Sequence, residues 1–408
     1  MKFDENAVTF GIDEGERFHR DDSIHYQMKR WVHWGGIPAE IMLETGRKVT
    51  GIASLVSLAI GNAGESSGRC DFAMAAAWWR GAYFFLPHSD SRKREALEKS
   101  RECFTAAYTG AITASGLIPD SAEIEWEGVR ISLPLYRSSV WDGSRETILM
   151  HGGFDSTLEE LVPIAAAFSR AGYQVFAFEG PGQGSVLERD IAMKPEWERV
   201  VSPLLDAFGI SRATLIGISL GGYLAPRSAS RDPRIARIVI WGAMSDFGTA
   251  SLSKLSAPQR RLVRALLAVG SRGKIAGCMF NAIVDALVSA KARRDPLLEW
   301  GVDHGMRVLG ANSPSKFLTE AARYNLRDSW KTIRQNVFIL MGRDDSLVPF
   351  SQLGEVTEKL REAASVTVRV YGRSEHASDH CQVGNTALAI RDIQAWLELT
   401  ELSASLRI

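Results

Sequence analysis

Ala213-Thr214-Leu215-Ile216-Gly217-Ile218-Ser219-Leu220-Gly221-Gly222-Tyr223 decides how the rest of the chain is read. An apolar, β-branched run stops at Gly-x-Ser-x-Gly, and small residues able to open a helix follow. A strand turning this sharply into a helix forces Ser219 into a strained backbone conformation and lifts its hydroxyl above the sheet edge. Gly217 and Gly221 are expected to leave room where a side chain would strike the neighbouring strand or helix. The amide of Leu220, free at a helix N-terminus, is then aimed to stabilise an oxyanion. An ordinary Gly/Ser turn also fits the five residues, but the flanking strand and helix favour a nucleophile.

Working outward, 408 residues exceed one average domain, so a catalytic domain with an elaboration is expected. Hydrophobic residues are 45% and charged residues 24%, the balance of a globular protein with a real core. Lys+Arg and Asp+Glu are both 48, so net charge gives no reason to expect nucleic acid or an anionic membrane as partner. Cys70, Cys103, Cys278 and Cys381 lack the spacing of a zinc site or a disulfide framework. The first residues lack an apolar signal core and no apolar run reaches transmembrane length, so a cytoplasmic protein is expected.

Residues 1–22 are polar and read as a loosely held arm. From there to about Gly116 the pattern is helical, with Phe72, Ala76, Trp79, Tyr83 and Leu86 on one stripe and Leu97, Phe104 and Tyr108 on the next. Trp31, Trp34, Trp78 and Trp79 fit core packing better than substrate contact, although Trp31 and Trp78 are candidates for a stacking wall. Residues 1–118 are accordingly read as an N-terminal helical cap domain and 119–408 as the catalytic domain. Glu123–Glu127 and Val129–Tyr136 alternate as a hairpin around Gly128, and strands then alternate with helices at Thr147–Met150, Gln174–Phe178, Ala213–Ile218 and Ile235–Trp241. That alternation predicts a mostly parallel, doubly wound α/β sheet. Between about 245 and 334 only helical patterns remain, including Leu262, Leu266 and Val269, then Ile283 and Leu287, which predicts a helical lid. Val337–Met341 and Val366–Tyr371 resume the sheet before a closing helix capped by Asn385.

A serine hydroxyl needs a base, and the base an orienting carboxylate, which for an elbow of this kind follow in the order Ser, acid, His. Asp345, in the loop after Val337–Met341, is the expected acid; Asp344 caps the loop as readily, and Asp246 is a weaker alternative. The loop Gly372–Gly384 offers two bases, His376 and His380, which spacing leaves near even. A His-x3-His metal pair with Asp379 lacks helical register and a third ligand cluster, so neither metal nor cofactor is expected. His151-Gly152-Gly153-Phe154 follows an earlier strand, where the amide of Gly153 or Phe154 would join that of Leu220, with His151 orienting the loop. Glu179-Gly180-Pro181-Gly182-Gln183-Gly184 lacks the Lys-Ser/Thr of a phosphate loop and reads as a tight turn.

These segments, with Asp379-His380-Cys381-Gln382-Val383-Gly384-Asn385 and the helical stretch around Ala75–Leu86, carry a nearly full-length resemblance. The sequence resembles the α/β-hydrolases with an N-terminal helical cap, a group that includes 2,6-dihydroxypseudooxynicotine hydrolase and fungal polyketide-shortening hydrolases of pigment synthesis. The resemblance implies His380, the histidine before Cys-Gln, as the base. It also implies hydrolysis of a carbon–carbon bond next to a ketone in an aromatic or polyketide-like substrate. A carboxylesterase and an acyl-transfer or cyclising enzyme are the alternatives on the same acyl-Ser219. A non-catalytic binding module is disfavoured because every triad position is filled. A small molecule is the expected partner, with no nucleic acid and no membrane, and a homodimer is left open. The cap and lid are expected to wall a closed pocket over Ser219.

Overall fold

Loops too short to reverse direction force consecutive parallel strands to be joined through helices, and the chain builds its sheet in this way. The computed structural model describes residues 1–141, 143, 145–253, 255–270 and 274–405. The sheet strands are β1 (Leu117–Trp126), β2 (Val129–Ser138), β3 (Thr147–His151), β4 (Gln174–Phe178), β5 (Ala213–Ile218), β6 (Ile235–Trp241), β7 (Asn336–Gly342) and β8 (Ser365–Tyr371). They lie in the order β8-β7-β6-β5-β3-β4-β2-β1. The β1–β2 and β2–β4 pairs are antiparallel and all the others parallel. The strand order reverses between β3 and β5, and the loops leaving their carboxyl ends carry Gly153 and Ser219. A crevice at such a reversal is where open α/β sheets place their ligands.

Five helices precede the sheet: α1 (Asp22–His33), α2 (Ala39–Lys48), α3 (Ile52–Gly68), α4 (Phe72–Phe85) and α5 (Arg92–Ala114). Asp21 caps α1 through Ser23 and Ile24 amides at 2.9 and 3.1 Å, and Asp71 caps α4 through Met74 at 3.1 Å. Their apolar stripes share one continuous core with a face of the sheet, α6 (Leu158–Arg170) and α16 (Thr386–Ser405). The opposite face packs against α8 (Glu198–Ala207), α9 (Gly221–Ala229) and α15 (Ser351–Lys359); a short α7 (Gly184–Leu187) precedes them. That core also takes in the insertion α10 (Phe247–Ser251), α11 (Ala257–Gly270), α12 (Lys274–Ala292), α13 (Pro296–Val308) and α14 (Pro314–Ala321). Among the described residues no helix is long and apolar enough to cross a membrane.

The first residues differ from the loose arm expected of them. Lys2–Phe3 pairs with Val8–Thr9, Phe3, Phe10 and Phe18 are buried, and the Asp13 amide donates to the Gly384 carbonyl at 2.8 Å. Three aromatic anchors separated by polar residues dock an arm without producing a helix or strand period, so the pattern is invisible to periodicity.

Candidate active site

At the end of β5 the chain turns through Ser219, whose φ of 62° is costly for any residue with a side chain. The turn is held because the Ser219 amide donates to the Trp241 carbonyl at 2.8 Å and the Gly222 amide to the Ser219 carbonyl at 2.8 Å. A Cβ at Gly217 would collide with the Gly221 carbonyl, whereas one at Gly221 would meet the Gly152 oxygen only at 3.2 Å. The stricter second glycine is Gly222, where a Cβ would strike the carbonyl of Gly242.

His380 lies on a single 3-10 turn, His380–Gln382, with Cys381 and Gln382 both in the left-handed region. Three side chains hold that strained turn. The Trp241 indole donates to Gln382 Oε1 at 2.8 Å, the Tyr26 hydroxyl to the His380 carbonyl at 3.2 Å, and Lys29 Nζ to Asp379 Oδ2 at 2.6 Å. Asp345 follows β7, and its Oδ1 accepts the amides of Leu347 and Val348 at 2.9 and 2.8 Å. With one oxygen fixed by the backbone, Oδ2 is left to accept His380 Nδ1–H at 2.7 Å. The opposite ring nitrogen, Nε2, accepts from Ser219 Oγ at 2.9 Å. Burial by itself would lower the basicity of His380; the adjacent Asp345 carboxylate outweighs it and raises the imidazole well above the ordinary histidine range.

The ring spanning Ser219 and Asp345 is that of His380, while His376 caps the preceding turn in a left-handed conformation. Asp344 is paired with Arg373 at 2.7 Å, and Asp246 caps α10 by accepting the Thr249 amide at 2.8 Å. Of the three amides expected to face an oxyanion, that of Gly153 donates instead to Ser156 Oγ at 3.1 Å. Gly153 contributes closeness: a Cβ there would lie 2.5 Å from the Leu220 nitrogen. The amides of Phe154 and Leu220 are the other two expected to face an oxyanion. His151 is fully buried, donates from Nδ1 to the Gly152 carbonyl at 2.9 Å, and is lowered by burial to about 4.

The Glu179–Gly184 turn does more than reverse the chain. Gln183 Nε2 donates to the carbonyls of Gly152 and Gly153 at 2.9 and 3.0 Å, so the turn braces the loop beside Ser219. Arg30 makes a two-pronged pair with Glu160 at 2.9 and 2.8 Å and reaches Asp155 Oδ2 at 2.6 Å. Arg80 adds Glu160 at 2.8 Å and the Asp155 carbonyl at 2.9 Å. From the lid side, His304 Nε2 donates to the Phe154 carbonyl at 2.9 Å and its Nδ1 accepts from His88 Nε2 at 3.0 Å. Burial lowers His304 to about 3, so the relay runs through neutral rings. Gln183 lies in a segment whose sequence reads only as a tight turn, and Arg30, Arg80 and His304 did not announce themselves, because each is a lone polar residue on a different element.

Above Ser219 lies a cavity of about 170 Å³. Leu255, Val288, Leu298, Trp300, Val302 and Phe317 of the insertion line it, with Phe154, Met244 and Phe247. The N-terminal helices contribute Gln27, which is 3% exposed and whose Oε1 has no hydrogen-bond partner. Trp31 and Trp78 do not line this cavity; they pack edge-on to each other in the core, and the tryptophan that lines it is Trp300. Among the described residues no group of three or more His, Cys, Asp or Glu side chains is placed to hold a metal ion.

Comparison with known proteins finds hydrolases among the relatives of the chain. The chain is 28% identical over 358 residues to 20-hydroxy-prefusarin hydrolase FUS2 of Gibberella moniliformis, covering 83% of this chain and 82% of that protein. It is 27% identical over 347 residues to hydrolase LUC6 of a Fusarium species, covering 80% and 79%. The crystal structure of 2,6-dihydroxy-pseudo-oxynicotine hydrolase superposes with a TM-score of 0.58 at 20% identity, over 90% of this chain and 94% of that one. AbyA5 gives 0.64 at 18% identity, over 93% and 95%. Residues 147–382, more than half of the chain, match the model of the alpha/beta hydrolase family. With a doubly wound sheet, a serine at its strand reversal and hydrolases as relatives, this chain is an enzyme belonging to the alpha/beta hydrolase family.

Proposed function

We propose that Ser219, His380 and Asp345 form the catalytic triad of a hydrolase that cleaves a carbon–carbon bond beside a ketone in an apolar, polyketide-like substrate. The observation that carries this reading is the unbroken hydrogen-bonded line Ser219–His380–Asp345 beneath an apolar cavity. Ser219 Oγ attacks the ketone carbon as His380 takes its proton, and the oxyanion is received by the Phe154 and Leu220 amides. Collapse breaks the carbon–carbon bond; the electron pair leaves as an enolate, which the His380 imidazolium protonates on carbon. The Asp345 carboxylate that raises His380 stabilises that imidazolium while it waits to deliver its proton. Water, activated by the neutral imidazole, then hydrolyses the acyl-Ser219 ester to a carboxylic acid and restores the serine.

Gln27 is well placed to accept a hydrogen bond from a hydroxyl of the substrate, since a buried amide oxygen without a partner costs about 1–3 kcal/mol until a donor pairs with it. The named relatives FUS2 and LUC6 support a polyketide-like substrate class. An esterase is the competing reading, because the same triad and oxyanion amides serve both reactions. All four cysteines are free thiols, in keeping with a reducing cytoplasmic setting. The discriminating experiment offers 1,3-diketones and size-matched esters to the wild-type enzyme and to Ser219→Ala. Diketone cleavage that depends on Ser219 supports the proposal; efficient ester hydrolysis with no diketone cleavage leaves a capped esterase.

A further inference from the structure

The overall charge of the chain is zero, but the charge is not evenly spread. Residues 252–295, which carry α11 and α12, hold nine Lys and Arg against two acidic residues, Asp285 and Asp295. Both carboxylates are used internally, Asp285 accepting the Ser315 amide at 2.6 Å and Asp295 capping α13 through Leu298 at 3.1 Å. Among the described residues, Arg260, Arg261, Arg264, Arg293 and Arg294 pair with no carboxylate, whereas arginines elsewhere in the molecule regularly do.

The apolar side chains of the same two helices are divided between two faces. Val284 and Val288 point inward and are buried, and Val288 lines the cavity above Ser219. Outward, the exposed residues described between 278 and 290 are all apolar, among them Met279, Ala282, Ile283, Ala286, Leu287 and Ala290. Met279 is 67% exposed and Ile283 and Leu287 45% each, with Leu262 and Val269 exposed on α11 beside them. A contiguous apolar stripe on a soluble surface marks an interaction site. An apolar stripe bordered by unneutralised arginines is the pattern of a helix lying in the plane of an anionic bilayer.

We propose that the outer face of α11 and α12 docks on an anionic lipid surface. Charge selects this occupant over a second copy of the chain, because two such faces would bring unpaired arginines together, whereas acidic headgroups neutralise them. Val288, on the inner face of α12, lines the cavity, so a hydrophobic substrate dissolved in the bilayer would lie on the far side of a helix that reaches it. The overall neutrality of the chain conceals this face, which is why net charge gives no hint of a membrane partner.

The test is co-sedimentation of the full chain with vesicles of phosphatidylcholine, with and without phosphatidylglycerol. Binding is expected to the mixed vesicles only and to be reversed by added salt. Replacing Arg261, Arg293 and Arg294 by Gln should weaken binding by about fivefold per residue. Ile283→Glu with Leu287→Glu should abolish it, with circular dichroism unchanged. Failure of the wild type to bind the mixed vesicles, or equal binding to both kinds, overturns the proposal. So does a dimer in sedimentation velocity that Ile283→Glu dissociates, since the face would then belong to a second copy. None of these readouts requires turnover, so they stand or fall apart from the reaction assigned to Ser219.

Discussion

Two helical additions meet above Ser219, and they are held by opposite means. The N-terminal helices send Lys29, Arg30, Arg80 and Arg101 into the catalytic core, where each finds a carboxylate on or beside the loops that shape the site. The outer lid helices α11 and α12 send no arginine to a carboxylate among the described residues and turn apolar side chains to solvent. One addition is therefore framework, its charges spent on fixing backbone. The other is a wall free to exchange neighbours on its outer side. An addition of similar size to a catalytic sheet can be part of the active-site scaffold or a surface laid over it, and the fate of its charges distinguishes the two.

The largest effect should come where the two additions converge. Ser219→Ala is expected to lower turnover by several orders of magnitude with the fold intact by circular dichroism. Retention of more than about a hundredth of the activity would refute the nucleophile and leave both additions framing something else. Gly153→Ala, on the loop to which the N-terminal helices attach, drives a methyl against the Leu220 amide. It should lower kcat by about 10²–10³-fold, measured with substrate in excess of KM.

Arg30→Ala sharpens the comparison directly. It strands the buried Asp155 carboxylate, leaves Glu160 with Arg80 alone, and should cost about 3–5 kcal/mol in urea unfolding. Arg261→Ala on the lid should stay within about 0.5 kcal/mol, and equal losses would erase the distinction drawn between the two regions.

Acid should separate them as well. Burial by itself would raise the Asp155 carboxyl, but Arg30 and Arg80 hold it at about 2 against an ordinary 3.8. A depressed carboxyl contributes stability that is complete above its unfolded value and is lost as pH falls through its folded value. The N-terminal helices should therefore loosen between about pH 4 and pH 2, and Arg30→Ala should abolish that part of the acid transition in tryptophan fluorescence. The smallest effect concerns selectivity. Gln27→Leu should lower kcat/KM about tenfold for substrates bearing a hydroxyl that reaches Gln27 Oε1 and leave those without it nearly unchanged.

Much of this organisation was legible in the sequence, for reasons that can be stated residue by residue. Period-two and period-3.6 patterns exposed the sheet and the helical additions, because strands and helices bury faces at those repeats. Gly217-x-Ser219-x-Gly221 was legible because the turn admits few other residues, although the clash at Gly222, as close as that at Gly217, shows that the second strict glycine lay outside the motif. Spacing left His376 and His380 near even, since a loop carries no register. What separates them is the strained turn pinned by Trp241, Tyr26 and Lys29, three residues far apart in the chain. Gln27, Arg30, Gln183 and His304 were silent for the same reason: each acquires its meaning from a partner on another element. The division of the lid helices into an inward and an outward apolar face was equally silent, because the same period describes both.

Trp300 joins the two regions at one point. Its ring stacks on Phe84 at 4.2 Å and on His304 at 5.0 Å, its indole donates to the Phe84 carbonyl at 2.6 Å, and the residue lines the cavity. The joint between N-terminal helices and lid is thus latched by the residue that a bound molecule touches. A molecule that pushed the Trp300 ring aside would loosen the joint with it, so occupancy of the cavity and the packing of the two additions are coupled through one side chain.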